Sequence, residues 1–231
     1  MMQIYVQSCG ASPNHDYIWL RDDNQQIKPP LLHCVDGLRQ KNYPSIVIAK
    51  YGEELILLIF GLTTRRGVDF QGREIFNSVV WIGKTADEAF LRMLAACALR
   101  KDRGFLDVID RAVIPCDERP GFKVAWQQIK ALNNRVKVGD RLPDKTRKIG
   151  KNSQKLRYEL AEELSLSRLP DRQGAIVVVT GIVEGETLKK AGVWRSLSRL
   201  VDVENWHKVT EDKDLLINLS SAIMQFIYVL F

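Results

Sequence analysis

The sequence predicts a mixed α and β protein of the α+β class, in which helices pack on a central β-sheet. Short apolar runs rich in Val, Ile and Leu recur along the chain and have the length of strands. Other segments repeat apolar residues every three or four positions, as amphipathic helices do. The chain has 231 residues, 45% of them hydrophobic. That is enough to bury a sizeable core.

The strands of the first half are predicted from apolar runs that end at turn residues. The run ELILLIFGL is apolar on both faces, which predicts a central place in the sheet. Pro29 begins a segment predicted to be a helix, because proline is favoured in a first helical turn. The predicted strands are, in order, 4–8, 17–20, 45–50, 54–62 and 75–83.

A capping box is predicted at Thr85-Ala-Asp-Glu88, where the threonine hydroxyl and the Glu88 carboxylate would each bind a free backbone N–H. The helix that follows is expected to pack on the sheet through a stripe with i, i+3, i+4, i+7 spacing. A second helical segment is expected at about 105–113. The stripe consists of Phe90, Met93, Leu94 and Cys97.

The second half is predicted to contain a helix capped by Asn152 or Ser153, a buried strand at 175–180, a short helix at 185–192 and an edge strand within 201–209. The first of these helices should bury one face, formed by Leu156, Leu160, Ala161 and Leu164.

The apolar segment 215–231 is expected to be a buried element rather than a membrane anchor, because polar residues interrupt it and it is short for a span. A tail anchor and a chain cut short of a longer protein are the alternatives. We expect no membrane association.

Positive charge is concentrated in one stretch. Residues 135–159 contain nine of the 34 Lys and Arg residues but three of the 28 Asp and Glu residues, so they carry the whole net charge of +6. We predict a mixed α/β domain at 1–133, a basic linker at 134–151 and a smaller α/β lobe at 152–231. Such a stretch can attract nucleic acid or another polyanion. A solvated linker is the alternative interpretation.

Two groups of cations are candidate anion-binding residues. The segment 63–74 is predicted to be a glycine-punctuated loop whose arginines can clamp a phosphate or carboxylate, or pair internally with Asp69 and Glu74. The segment 139–146 fails as a phosphate-binding loop, because Asp144 stands where the motif needs glycine. Gly150-Lys151-Asn152-Ser153 fits either an ordinary helix cap or an anion site. The candidates are Arg65, Arg66, Arg73, Lys145, Arg147, Lys148 and Lys151.

Other chemistries receive little support from the sequence. The four cysteines stand far apart without a C-x-x-C pair, so neither a zinc ribbon nor a disulfide framework is indicated. Cys9 with His15 and Asp16, or His33 beside Cys34, is a weak candidate for a thiol nucleophile or for metal ligands. We expect no catalytic residue, metal or cofactor, and a cytoplasmic location, since the first residues lack a secretion signal.

Several segments resemble an uncharacterised bacterial protein family whose members occur near multi-gene signalling or defence systems. The resemblance extends to about residue 208 and implies no activity and no site residues. The segments that carry it are IYVQS, DYIWL, GLTTRRGVDFQGREIFNSVVWIG, KIGKNSQKLRYELAEEL and AGVWRSLS.

Three functions stay open from the sequence. The first is a non-catalytic adaptor or regulatory module of a multi-component system, which binds protein partners and presents Trp194 and Trp206 as exposed aromatics. The second is nucleic-acid or nucleotide binding through the basic stretch 135–159 and the arginines of 63–74. The third is an enzyme without a recognisable motif.

Overall fold

The computed structural model describes residues 2–38, 44–134 and 138–210, and it confirms the α+β class. Nine strands form one mixed sheet, in the order β11-β8-β10-β9-β3-β4-β5-β1-β2, and β6 pairs with β7 separately. The strands are β1 (Gln3–Ser8), β2 (Ile18–Arg21), β3 (Ser45–Tyr51), β4 (Glu54–Val68), β5 (Glu74–Lys84), β6 (Val113–Pro115), β7 (Phe122–Val124), β8 (Lys148–Lys151), β9 (Gly174–Thr180), β10 (Arg195–Ser198) and β11 (His207–Lys208).

Helices cover the two faces of the sheet unequally. The helices α1 to α4 lie on one face, where α1 packs against α4, whereas α5 lies on the other. The second face is also covered by two short 3-10 turns, Leu32–Cys34 and Asp36–Leu38. The helices are α1 (Glu88–Arg100), α2 (Arg103–Ala112), α3 (Trp126–Lys130), α4 (Gln154–Leu166) and α5 (Gly185–Lys190).

The centre of the sheet follows the predicted pattern. From Leu55 to Phe60 every residue of β4 is at most 5% exposed, because odd and even positions supply the cores of opposite faces. Leu57 and Ile59 belong to the core beneath α1 to α4, which we call the helix-covered core. Ile56 and Leu58 belong to the core on the opposite face of the sheet. The hairpin with β3 turns at Gly52, whose φ of +61° suits glycine.

The start of α1 differs from the predicted capping box. Thr85–Asp87 is a 3-10 turn, and the Asp87 carboxylate accepts the Lys84 backbone N–H at 2.8 Å. Glu88 instead accepts the backbone N–H of Leu169 at 2.8 Å. The local pattern was right about an acidic cap but wrong about which carboxylate forms it, because Glu88 has a partner outside its own helix.

The predicted stripe of α1 is also corrected. Phe90 and Cys97 are only partly buried, whereas Leu91, Leu94 and Leu99 are at most 1% exposed. The helix lies between the sheet and α4, so it buries more than the single face that the spacing predicted.

The helix α4 is the most faithful to its sequence. The Ser153 hydroxyl accepts the backbone N–H of Leu156 at 3.3 Å, as an N-cap does. The four residues predicted to form its apolar face, Leu156, Leu160, Ala161 and Leu164, are all 0% exposed.

Other boundaries were predicted less well. The segment after Pro29 forms 3-10 turns instead of an α-helix, as far as it is described. Strand β4 continues to Val68, so most of 63–74 is paired strand with a turn at its tip, and not a loop. The strands β8 and β10 were not predicted. The predicted edge strand in 201–209 is confirmed as β11.

Strands from both sides of the interval 134–151 belong to the one sheet, and β8 lies within that interval. The division into lobes at this interval stays a prediction that proteolysis tests. The segment 215–231 lies outside the described residues. Within residues 2–38, 44–134 and 138–210, no helix has the length and apolar character needed to cross a membrane.

Candidate functional site

The three arginines predicted to act together on 63–74 point to different partners. Arg65 forms an ion pair with Asp107 of α2. Arg73 binds Asp69, four residues earlier, at 2.7 Å. Arg66 turns inward, and its guanidinium donates to the Ser8 hydroxyl, the Cys9 carbonyl and the Asn77 amide oxygen, all uncharged groups. These arginines are held separately within the protein.

The four cations predicted in the basic stretch are also individually placed. Lys148 binds Asp144 at 2.8 Å, and Lys151 binds Glu204 at 2.6 Å. Arg147 donates to the backbone carbonyl of Lys189, at the last turn of α5. Lys145 is exposed. Two of the four charges are therefore offset by a carboxylate.

The two predicted groups do not share one surface. The arginines of 63–74 lie on or beside β4 and β5, whereas the basic stretch leads into β8. Three strands separate β4 from β8, which places them about 19 Å apart at the usual spacing between strands. An anion site made from these candidate residues would therefore use one group or the other, not both.

The parallel part of the sheet provides a more specific location. The strands β8, β10 and β9 are parallel, so their carboxyl ends lie at one edge. The chain leaves β8 into α4 on the helix-covered face, and leaves β9 into α5 on the opposite face. Strand β10 lies between them. In open α/β sheets, ligands bind outside the carboxyl ends of the strands where the connections diverge in this way. We call this region the carboxyl edge.

Asn152 organises the carboxyl edge by bonding to both neighbouring strands. Its backbone N–H donates to the Ser198 carbonyl at 2.9 Å, and its side-chain amide donates to the Thr180 carbonyl at 2.9 Å. Its amide oxygen accepts from the Arg157 guanidinium at 3.2 Å. One side chain thus joins the ends of β8, β10 and β9 and orients an arginine of α4.

Arg157 carries positive charge at the carboxyl edge, and Arg199 lies near enough to repel it. Burial and repulsion from Arg199 both lower the pKa of Arg157, whereas Tyr158 alone opposes them. The Nε of Arg157 is buried and finds no hydrogen-bond partner in the described part of the chain. No carboxylate is among the charges that act on Arg157. A bound anion would therefore stabilise the charged form of this guanidinium.

Two lysines extend this charge toward the first turn of α4. Lys155 donates to the Asn205 amide oxygen at 2.8 Å, a neutral partner, so its charge is not offset there. Lys151 is paired with Glu204, and Asp202 also acts on it. Lys155 and Arg157, whose side chains bind neutral amide oxygens, therefore contribute positive charge at this edge.

The sequence prediction found the region but not its main residues. Lys151 was selected because it lies in the basic stretch, and it does lie at the carboxyl edge, though paired. Arg157 and Arg199 were not selected as site residues. The parallel pairing of β8 with β10 brings together the segments that carry residues 157 and 199, and no local pattern predicts this pairing.

The cysteine candidates do not form an activated thiol at Cys9. This residue is 3% exposed, and burial raises the pKa of its thiol, which disfavours the thiolate. Cys34 lies 3.2 Å from the ring nitrogen Nε2 of the adjacent His33. Among residues 2–38, 44–134 and 138–210, no group of three or more His, Cys, Asp or Glu side chains is arranged to hold a metal ion.

The aromatic residues proposed as a partner surface are not both exposed. Trp194 is 1% exposed, and its indole N–H donates to the Asp144 carbonyl at 2.6 Å. Trp206 is half-buried against the helix-covered core. The prediction of an exposed Trp194 is wrong, because this residue, immediately before β10, packs into the helix-covered core.

No family model, no curated protein and no solved structure matches the chain. The chemistry of the carboxyl edge therefore follows from its own geometry.

Proposed function

We propose that this protein is a non-catalytic interaction module that binds phosphate groups of a nucleic acid or a nucleotide at the carboxyl edge. The observation that carries the proposal is the pair Arg157 and Arg199 at the point where the connections after β8 and β9 diverge. A guanidinium can bind two phosphate oxygens at once, and a pair can bind one phosphate from two sides.

The surroundings of Arg157 favour an anionic ligand over a structural ion pair. Arg195 shows what a structural arginine looks like in this protein, because it is 0% exposed and forms a bidentate pair with Glu163 at 2.5 and 2.7 Å. Arg157 has a neutral amide for its partner instead. A bound phosphate would supply the missing negative charge.

The test is a salt titration of ligand binding. A labelled RNA, a DNA of the same sequence and ATP are titrated with the protein, from about 50 mM salt upward. The logarithm of the binding constant should fall linearly with the logarithm of the salt concentration, by about 0.7 to 0.9 per phosphate contacted. A steep slope for the two polymers indicates nucleic acid, and comparable binding of ATP indicates a nucleotide.

The variant Arg157→Gln with Arg199→Gln should reduce the steepness of that slope by about 1.5, since two phosphate contacts are lost. The matched control is Arg103→Gln with Arg111→Gln, which removes the same charge from the exposed surface of α2. Undetectable binding of all three ligands at about 50 mM salt contradicts the proposal. So does an equal loss in both double variants, which would indicate a diffuse effect of net charge.

A protein partner at the same edge is the second candidate. Leu200 and Val203, on the loop that follows Arg199, are 56% and 40% exposed. Exposed apolar side chains beside arginine are typical of protein interfaces. Affinity capture with the native protein and with Leu200→Asp tests this candidate, because a specific stoichiometric partner should be lost with the variant while binding of RNA is kept.

A further inference from the structure

The first turns of α4 carry an exposed aromatic side chain among the cations of the carboxyl edge. Tyr158 is 48% exposed, although the buried face of the same helix is 0% exposed at Leu156 and Leu160. It directly follows Arg157, whose guanidinium is one of the groups proposed to bind phosphate. The phenol ring is therefore accessible to a ligand bound at the carboxyl edge.

Helix geometry places this ring between two cations. At 3.6 residues per turn, Arg157 lies about 100° to one side of Tyr158 around α4, and Lys155 lies about 60° to the other side. Lys155 is exposed and Arg157 is half-buried. The two charges thus flank the ring at the surface of the protein.

Both flanking cations have neutral partners. Lys155 donates to the amide oxygen of Asn205 at 2.8 Å, and Arg157 donates to that of Asn152 at 3.2 Å. A phosphate would therefore not have to displace either cation from a carboxylate in the described part of the chain. An aromatic face between such cations suits a base with phosphates on both sides, because bases stack on aromatic rings while cations hold the backbone.

The exposed residues further along α4 restrict the path of such a ligand. Glu159 and Glu162 are exposed, and their carboxylates repel phosphates. A bound strand is therefore expected to cross α4 at its first turns, from Lys155 to Arg157, instead of following the helix.

We propose that Tyr158 stacks on a base and that the ligand of the carboxyl edge is a single-stranded nucleic acid. This inference rests on the phosphate binding proposed above. A base with a phosphate on each side belongs to the interior of a strand, because a mononucleotide carries its phosphates on one side only. The bases of a duplex are already paired and stacked on one another, so they are not free to stack on Tyr158. Every base has a face that can stack, so little sequence preference is expected.

Three labelled ligands test the proposal: a single-stranded RNA, an abasic oligomer of the same length, and a duplex of the same sequence. Binding to the full-length protein is followed by fluorescence anisotropy at about 50 mM salt. The single strand should bind about 5- to 150-fold more tightly than the abasic oligomer, which is the effect of one stacked base. Equal affinities for these two ligands would overturn the proposal.

Variants separate stacking from charge. Tyr158→Leu should weaken binding of the single strand by about 5- to 150-fold and leave the abasic oligomer and the duplex unchanged. Tyr158→Phe keeps the aromatic face and should retain tight binding. The salt dependence should be unchanged in both variants, because loss of stacking releases no counterions. The matched control Phe70→Leu removes another exposed ring, which is 50% exposed in the β4–β5 turn.

The outcomes distinguish this proposal from the phosphate site on which it rests. Absence of binding by all three oligomers and by ATP would contradict both. Binding of ATP without binding of the oligomers would keep the phosphate site and overturn the single-stranded ligand. Equal effects of Tyr158→Leu and Phe70→Leu, with the salt slope still reduced in Arg157→Gln with Arg199→Gln, would also overturn stacking alone. A loss in Tyr158→Leu that is selective for the single strand supports the proposal.

Discussion

Replacing Glu163 by leucine should destabilise the protein strongly, because it removes the carboxylate that binds the buried Arg195 guanidinium and leaves it with only the more distant carboxylate of Asp144, at 3.6 Å. Arg195 is 0% exposed and donates two hydrogen bonds to the Glu163 carboxylate, at 2.5 and 2.7 Å. Hydrogen bonds to charged groups contribute about 1.5 to 3 kcal/mol each, and breaking a buried pair costs about 3 to 5 kcal/mol. We expect the free energy of unfolding to fall by about 4 kcal/mol.

Urea unfolding followed by tryptophan fluorescence measures this loss. With an m-value of about 3 kcal/mol/M, the midpoint should fall by about 1.3 M. The control Glu162→Leu alters the adjacent exposed carboxylate and should shift the midpoint little. The double variant Arg195→Met with Glu163→Leu should lose much less than the sum of the single changes. A loss below about 1 kcal/mol for Glu163→Leu would refute the reasoning.

Three further predictions concern other parts of the molecule. Burial raises the pKa of Tyr17 to about 12. Between about pH 10 and 12, Tyr17 is ionised in the unfolded chain but not in the folded protein, so the stability of the protein should fall as pH rises through this window. The urea midpoints of the native protein and of Tyr17→Phe should therefore converge there. Gly150→Ala should lower the free energy of unfolding by about 1 to 3 kcal/mol, because the added Cβ would lie 2.5 Å from Leu156 Cδ1. An unchanged midpoint in urea unfolding would contradict this packing. Limited trypsin digestion should cut first within 134–151, and prior cleavage within 45–62 would show that the lobe boundary is wrong.

The fold was predictable where the sequence pattern is strong. Continuous apolar runs predicted β4 and β9, and the spacing of Leu156, Leu160 and Leu164 predicted the buried face of α4. The strands β8 and β10 were missed because KIGK and RSLS are short and polar. They are strands because of their partners in the sheet, and the buried Arg195 of β10 is bound by Glu163 of α4. Such context overrides local propensity.

The candidate site was predictable only in part. Charge counting found the basic stretch that contains Lys151, but Glu204 offsets that lysine from a distant position in the sequence. The internal pairing considered for Arg73 and Asp69 is present, because their spacing lets a turn bring them together. The approach of Arg157 and Arg199 depends on the order of strands in the sheet, which no local pattern specifies.

Binding of phosphate groups at the carboxyl edge is the central claim, and its most direct test is the NMR response to a phosphate ligand. RNA or ATP, whichever binds at about 50 mM salt, is titrated into labelled protein, and the arginine Nε–H signals of Arg157 and Arg199 are followed. We predict that these two signals shift in a saturable way and that added salt reverses the shift. Saturable shifts at Arg65 and Arg73 instead, with Arg157 and Arg199 unmoved, would contradict the claim.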